Sequence, residues 1–302
     1  MDVRSTRGGS ALSRKNDIFA TGDPEAVESQ KVVREAMSRG QAHDVMRDEF
    51  GIVIPVETVP LPSQGKVYPD GHPLHGRQTL EITAMTAREE DILTSRALIK
   101  KGTVITELIR SCLVDKRIRP EEMLSGDRNA LMVAVRITGY GRTYDPEITC
   151  ESCGERGEAT FDLAELPIRP LTLNPLEPGQ NLFEFKLPKS EAVVRFSFLT
   201  GTDEEQLLTE HERRRKKLKL QTESLVTSRL ERAIVSVNGI DDRSKIATFV
   251  RRMPAADSRA LRKFMDENEP GIDMRGWATC QHCGEEQSIA MPIGAKFFWP
   301  DS

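Results

Sequence analysis

The sequence predicts an α+β protein in which a ribbon, split into two halves and closed by cysteines, encloses an inserted segment. Two Cys-x-x-C pairs, Cys150/Cys153 and Cys280/Cys283, each precede Gly-Glu and then an alternating pattern typical of a strand. Between the pairs lie the two strongest strand patterns of the chain and a long helical pattern. We therefore expect an N-terminal arm, a small helical domain, and a split four-cysteine ribbon with an inserted β-hairpin and long helix.

The cysteine spacing indicates a metal site. Two cysteines three residues apart can bind one side of a tetrahedral ion, and two such pairs complete a four-thiolate zinc site. The glycine after each second cysteine permits a tight turn whose amides can point at sulfur. Because four thiolates leave no position for a reactive water, we expect one structural Zn²⁺ per chain, held by Cys150, Cys153, Cys280 and Cys283. A disulfide framework is the alternative, and a reducing compartment disfavours it.

Composition excludes several classes of protein. The 302 residues carry 43 basic and 47 acidic side chains, so the net charge of −4 does not predict a general nucleic-acid binder. No run approaches the ~20 apolar residues that cross a bilayer. The N-terminus lacks the apolar stretch of a secretory signal, and we expect none.

Proline and glycine residues, which interrupt helices and strands, predict that the chain has five parts. They are an arm at residues 1–50, a proline-rich extended segment at 51–77, a helical domain at 78–145, the ribbon and an aromatic tail at 146–166 plus 272–302, and the insert at 167–271. The arm contains a weak helical pattern that begins at Asp23. The arm is either a disordered tail or is ordered by packing on a neighbour.

Local signals predict the helix boundaries. Thr86 and Glu89 form a capping box, and Gly102 ends the helical stretch that follows. Asp127 and Asp257 are expected to cap later helices, and a second capping box is expected at Thr202 to Glu205. Strands at residues 182–187 and 193–199 are expected to pair as a hairpin. Cys112 lies on an apolar helical face and is expected to be a core residue.

Two segments are candidates for binding a partner. One is the basic run on the long helix, which contains Arg213, Arg214, Arg215, Lys216 and Lys217. Its lack of interleaved aromatic residues favours an acidic protein partner over nucleic acid, although a zinc-ribbon nucleic-acid binder stays an alternative. The other is the aromatic tail Phe297, Phe298 and Trp299, since three such side chains need a surface to cover them.

No catalytic motif is present. The sequence contains no G-x-S-x-G, no H-E-x-x-H and no phosphate-binding loop. His72 and His75 are spaced like metal ligands, but they stand on a turn-rich segment without a nearby acid or cysteine, so we interpret them as polar loop residues. The sequence therefore predicts a structural protein and not an enzyme.

Several stretches resemble the T4-type bacteriophage baseplate hub protein family. The sequence carries this resemblance from about residue 55 to 300, most specifically in its first half, at residues 61–69 (LPSQGKVYP), 85–93 (MTAREEDIL), 99–102 (IKKG), 126–131 (GDRNAL) and 136–141 (RITGYG). Members of this family differ in whether they keep the cysteine pairs, so the zinc prediction depends on this sequence alone.

The resemblance implies a structural component of a contractile-tail baseplate, at or near its central hub. Its partners would be hub, tube or tape-measure subunits, and its location would be the virion tail, after assembly in the host cytoplasm. It implies no catalytic residues and no small-molecule substrate. A tail or hub assembly chaperone that is absent from the virion is the alternative that the resemblance leaves open.

Overall fold

The computed structural model describes residues 44–47, 51, 53–218, 225–291 and 295–298. The helices are α1 (Ala87–Thr94), α2 (Arg96–Lys101), α3 (Val104–Cys112), α4 (Ser125–Tyr140), α5 (Gly201–Leu218), α6 (Leu225–Ala233), α7 (Arg243–Arg252), α8 (Ala255–Asn268) and α9 (Ala295–Phe298). The strands are β1 (Asp44–Arg47), β2 (Val53–Pro60), β3 (Thr79–Thr83), β4 (Thr143–Tyr144), β5 (Glu147–Thr149), β6 (Arg156–Glu158), β7 (Phe161–Asp162), β8 (Ile168–Arg169), β9 (Phe183–Lys186), β10 (Val193–Phe196), β11 (Ile234–Val237), β12 (Gly271–Ile272), β13 (Arg275–Thr279) and β14 (Glu286–Ala290). This mixture confirms the α+β class.

Helix α4 is the central element of the core. Most of its side chains through Arg136 are buried, and α3, α5, α9, β2 and β12 all pack against it. Gly126 in its first turn lies so close to the Pro270 carbonyl that a Cβ would be 1.7 Å from that oxygen. The apolar residues that surround α4 join one buried cluster that extends from Val59 to Phe298.

Every strand pair that the structure describes is antiparallel. Two sheets have three strands, in the orders β1–β2–β3 and β11–β10–β9, and the others are two-stranded. The predicted hairpin is present as β9 and β10, with Val193 opposite Lys186. Strands β8 and β12 pair where the predicted insert begins and ends, so its two ends lie side by side.

Two local predictions at the start of the helical region are confirmed, with one difference. Thr86 and Glu89 form the expected capping box, and Gly102 ends α2 in the left-handed conformation, at φ 73°. The predicted single helix is broken, however, at Ser95, which has an extended backbone. The Thr94 hydroxyl donates to the carbonyls of Glu90 and Asp91, a local bond that competes with helix continuation.

The predicted starts of three later helices are wrong. The second capping box lies two residues earlier, at Thr200 and Asp203. Helices α4 and α8 begin before the two aspartates that were expected to cap them. Asp127 instead accepts hydrogen bonds from the amide of Ser63 (2.8 Å) and the hydroxyl of Tyr68 (2.7 Å). Each aspartate lies in the first turn of its helix, and its carboxylate accepts hydrogen bonds from a loop that is distant in the sequence.

The Asp127 contacts attach the segment at residues 61–69 to the centre of the fold. The Tyr68 hydroxyl, which donates to Asp127, also accepts from the amide of Leu124 just before α4 (3.0 Å). Tyr68 and Asp127 are buried. Burial raises the pKa of Asp127 from 3.8 to about 6, even though the bonds from Ser63 and Tyr68 act to lower it. The folded protein therefore binds a proton at Asp127 more tightly than the unfolded chain does.

This shift predicts a loss of stability as the pH rises. Because the folded pKa is raised, the contribution of Asp127 is complete below pH ~4 and is lost as the pH passes through about 6. At about 1.4 kcal/mol per pKa unit, the wild type should lose roughly 3 kcal/mol relative to Asp127→Asn between pH 4 and 7. Urea denaturation of both proteins across this range measures the difference. Asp91→Asn, at an exposed position of α1, is the control, and a constant difference between wild type and Asp127→Asn would contradict the prediction.

Of the predicted arm, the structure describes only residues 44–47. The helical pattern that begins at Asp23 lies outside the described residues. Residues 44–47, at the end of the predicted arm, form β1 and pair with β2. The division of the chain into five domains stays a prediction.

Candidate metal centre

The two cysteine pairs stand at the ends of two matching hairpins. Strands β5 and β6 form the first, with Thr149 opposite Arg156, and β13 and β14 form the second, with Thr279 opposite Glu286. In each hairpin the Cys-x-x-C-Gly-Glu sequence makes the connecting turn. The similarity seen in the sequence is therefore a similarity of structure.

The turns have the same hydrogen bonds. The amide of Cys150 donates to the carbonyl of Glu155, and the amide of Gly154 donates to the carbonyl of Cys150, both at 2.9 Å. Cys280, Glu285 and Gly284 repeat these two bonds at 2.9 Å. Gly154 and Gly284 have φ values of 75° and 76°, which disfavour any residue with a Cβ. Glycine at these positions thus lets the chain return to the second strand of each hairpin directly after the second cysteine.

The four sulfur atoms form a compact cluster. The ligand atoms of Cys150, Cys153, Cys280 and Cys283 all lie within 4.8 Å of one another. The Sγ atoms of Cys150 and Cys283 are 3.7 Å apart, as are those of Cys153 and Cys280. A tetrahedron of sulfurs ~2.3 Å from a metal ion has edges of about 3.8 Å, which matches these distances. The chemistry and geometry of this donor set fit a tetrahedral ion that prefers sulfur.

Backbone amides support the cluster electrostatically. Those of Cys283 and His282 lie at the sulfur of Cys280 and lower the pKa of that thiol to about 6. Cys150 and Cys280 are buried, whereas Cys153 and Cys283 are exposed at the tip. The site is therefore open to solvent on one side and covered by the hairpins on the other.

Gln287 joins the two hairpins, a role that was not predicted from the sequence. Its Oε1 accepts from the amide of Glu151 (2.9 Å), and its Nε2 donates to the carbonyl of Thr149 (3.5 Å). The matching position in the first hairpin is Gly157. This asymmetry between two otherwise similar repeats is the signal that could have identified Gln287.

A close contact places the second hairpin on the rest of the protein. Phe161 of β7 packs against Gly276 of β13, where a Cβ would be 2.3 Å from the ring. Phe161 lies opposite Tyr144 of β4. The pair β4–β7 thus connects the cysteine-bearing hairpins to the end of α4.

The structure corrects the predicted role of the aromatic tail. Phe297 and Phe298 are both fully buried, and Phe297 packs edge-on against Tyr144 at 5.3 Å between ring centroids. These two rings are covered by their own chain and are not available to a partner. Trp299 lies outside the described residues.

The basic run lies near the end of α5. Arg213 is exposed. The side chains of Arg214, Arg215, Lys216 and Lys217 lie outside the described part of the structure, so the run stays a proposed contact surface. The structure does not bring it together with the cysteines in any described contact.

The three remaining candidate residues, Cys112, His72 and His75, all contact other parts of the fold. Cys112 is buried in the core, and burial raises the pKa of its thiol to about 12, which makes it unreactive. His72 stacks on Tyr68 and lies 3.6 Å from Glu122, and His75 lies 3.0 Å from Asp70. The expectation that no acid lies near these histidines is therefore wrong, although each has a different carboxylate as its neighbour. Among the helices that the structure describes, none is both long and apolar enough to cross a bilayer.

The fold and the site define the class of protein: an α+β chain whose two distant hairpins meet at four cysteines that could hold a metal ion. The family model described as T4 bacteriophage base plate protein matches residues 55–299. The chain therefore belongs to that family, and it is a non-enzymatic structural protein of the phage baseplate. No curated protein and no solved structure matches it.

Proposed function

We propose that this chain is a structural component of the central hub region of a contractile-tail baseplate, where it joins neighbouring subunits and carries one structural zinc ion. The observation that carries the proposal is the family match over residues 55–299, which includes both cysteine pairs and the whole insert between them. The hub position is supported by the motifs at residues 61–69 and 85–93.

The structure suggests why the first of these motifs has its sequence. The Tyr68 hydroxyl donates to Asp127 and so fixes the segment to α4. Gly65 has φ 69°, and a Cβ at this position would lie 2.5 Å from backbone atoms of Leu74 and Arg77. The motif is therefore a packed turn. Such a turn holds the first half of the chain in one conformation, as an assembly subunit requires.

Zinc is the ion that best fits the cysteine cluster. Four thiolates in a tetrahedral arrangement are typical of structural zinc, and iron is the main competitor for such a donor set. Bound metal would tie the hairpin that follows α4 to the hairpin that precedes α9. Elemental analysis of the purified protein is expected to find one zinc per chain, and a stoichiometric amount of iron would contradict the assignment.

The proposed partners are hub, tube or tape-measure subunits. Their contact surfaces would include the basic run of α5, since Arg213 and much of the described helix beyond Gln206 are exposed. A charged helix of this kind is suited to an acidic protein surface.

The virion location leads to a direct prediction. Mass spectrometry of purified mature tails is expected to find this chain at a constant ratio to other baseplate proteins. Tails stripped of loosely bound protein with high salt are the control, because a structural subunit resists this wash. If the chain is present in infected cytoplasm but absent from mature tails, it acts in assembly only, and the assembly chaperone replaces this proposal.

A further inference from the structure

One face of the second ribbon hairpin is exposed and carries a large aromatic side chain. Alternate residues of β13 and β14 point to opposite faces. Gly276, Ala278, Gln287 and Ile289 are half-buried, on the side of Phe161. The other face, here called the ribbon face, consists of Arg275, Trp277, Thr279, Glu286, Ser288 and Ala290, all of which are exposed. Trp277 is 74% exposed, more than any other large apolar side chain in the described residues.

The ribbon fold does not require a tryptophan at this position. The first hairpin provides an internal comparison, because Thr149 and Thr279 both directly precede a first cysteine. The position two residues before this threonine is Glu147 in the first hairpin and Trp277 in the second. Glu147 lies opposite Glu158, and Trp277 lies opposite Ser288. A hairpin of the same geometry thus forms with glutamate at the matching place. Trp277 also covers no core, since most of its surface is in solvent. The exposed ring is therefore available for a contact outside the ribbon.

The charges around the ribbon face select a cationic partner. Glu151, Glu155, Glu285 and Glu286 are exposed in and beside the two turns, and the exposed Arg156 of the first hairpin lies 3.6 Å from Glu147. The ribbon face itself carries one acidic residue, Glu286, and one basic residue, Arg275, which lies 3.6 Å from Asp273. An indole ring attracts an arginine or lysine side chain placed over its face, and nearby carboxylates strengthen that attraction. A basic protein segment therefore matches the ribbon face in both charge and ring chemistry.

This chain carries such a segment. The run from Arg213 to Lys217 on α5 consists of five consecutive basic residues. We propose that the ribbon face binds the basic run of a second copy of this chain. The contact is heterologous, with the ribbon face of one copy against α5 of the next, and such contacts generate rings or open chains. The inference rests on the proposed function only in treating the basic run as a contact surface.

Self-association of the full-length, zinc-loaded protein tests the proposal. Sedimentation velocity is expected to show association at about 50 mM salt and its loss at about 500 mM, because screening weakens contacts between charges. Trp277→Thr, which removes the ring, adds no charge and keeps a residue that favours strands, is expected to weaken association by about tenfold or more. Trp277→Phe should retain most of it. Ile240→Glu, an exposed apolar position outside the ribbon (48% exposed), is the matched control and should associate as the wild type does.

A mixing experiment identifies the occupant. One variant carries Trp277→Thr, and the other carries Arg213→Ala, Arg214→Ala and Arg215→Ala. At a protein concentration where the wild type is just associated, each variant is expected to be monomeric alone, because each has lost most of one half of the contact. Their mixture should form a 1:1 dimer, since one variant keeps the ribbon face and the other keeps the basic run.

Other outcomes overturn the proposal. A wild type that stays monomeric at low salt is one, and a Trp277→Thr variant that associates normally is another. Normal association of the triple arginine variant, or a mixture that stays monomeric, has the same consequence. Unchanged thermal midpoint and zinc content in the variants show that folding is intact. The result is independent of the tail analysis above: a chain found in mature tails but monomeric in these assays overturns this inference alone.

Discussion

Cys280→Ser is expected to release the proposed zinc ion and to unfold the ribbon. A serine hydroxyl is a poor zinc ligand, and metal binding at four-thiolate sites contributes on the order of 10 kcal/mol to folding. The effect should extend beyond the tip, because the four sulfurs connect hairpins that are far apart in the sequence. Zinc content, thermal unfolding and hydrogen exchange of β13 and β14 measure the result. Cys150→Ser should behave in the same way.

Cys112→Ala is the matched control for this experiment. Cys112 is a buried thiol outside the cluster, so its replacement should leave the zinc content at one per chain. A count of five free thiols after metal removal is expected, which would exclude disulfides among the same cysteines. A wild type that contains no metal, or a Cys280→Ser variant that unfolds at the wild-type temperature, would contradict the structural role of the site.

Arg136→Met is expected to destabilise the protein by roughly 3 kcal/mol, because buried carbonyl groups would lose their donor. Arg136 is fully buried, and its guanidinium donates to the carbonyls of Phe297 (2.9 Å), Gly141 (2.8 Å) and Thr143 (3.2 Å). These three bonds connect α9, the end of α4 and the start of β4. Their loss should first release α9 and with it the two buried phenylalanine rings.

Urea denaturation gives the free-energy change, and hydrogen exchange at Phe297 and Phe298 reports on α9. Arg136→Lys should be intermediate, since an ammonium group cannot reproduce the planar set of donors. Arg142→Met is the control, because Arg142 pairs with Asp162 at an exposed position and should matter much less. Equal effects of Arg136→Met and Arg142→Met would refute the role of Arg136 as the anchor of the tail.

Features set by neighbouring residues could be predicted from the sequence. The capping box at Thr86 and the end of α2 at Gly102 depend on bonds within a few residues, and both are as expected. The clustering of the four cysteines could also be predicted, because the spacing within each pair and the glycine after it are local requirements of the turn.

Features set by distant contacts could not be predicted in this way. Asp127 has the right position to stabilise the start of α4, but the buried amide of Ser63 needs an acceptor, and the carboxylate serves that loop instead. Asp257 does the same for the amides of Lys189 and Ser190. The start of α4 is itself buried, and there the amide of Ser125 donates to the carbonyl of Leu199 (2.9 Å), so a partner distant in the sequence also serves the helix end.

By itself, the sequence determined the α+β class, the four cysteines and the main helices and strands, because periodicity, capping and turn chemistry act over a few residues. Only the tertiary structure decided which aromatic side chains are covered. Phe297 and Phe298, expected at a partner surface, are buried beside Tyr144, whereas Trp277, next to the second cysteine pair, is exposed. The physical reason is that hydrophobic attraction has no direction. An apolar pattern shows that a side chain needs cover, but the packing of distant elements determines what provides it.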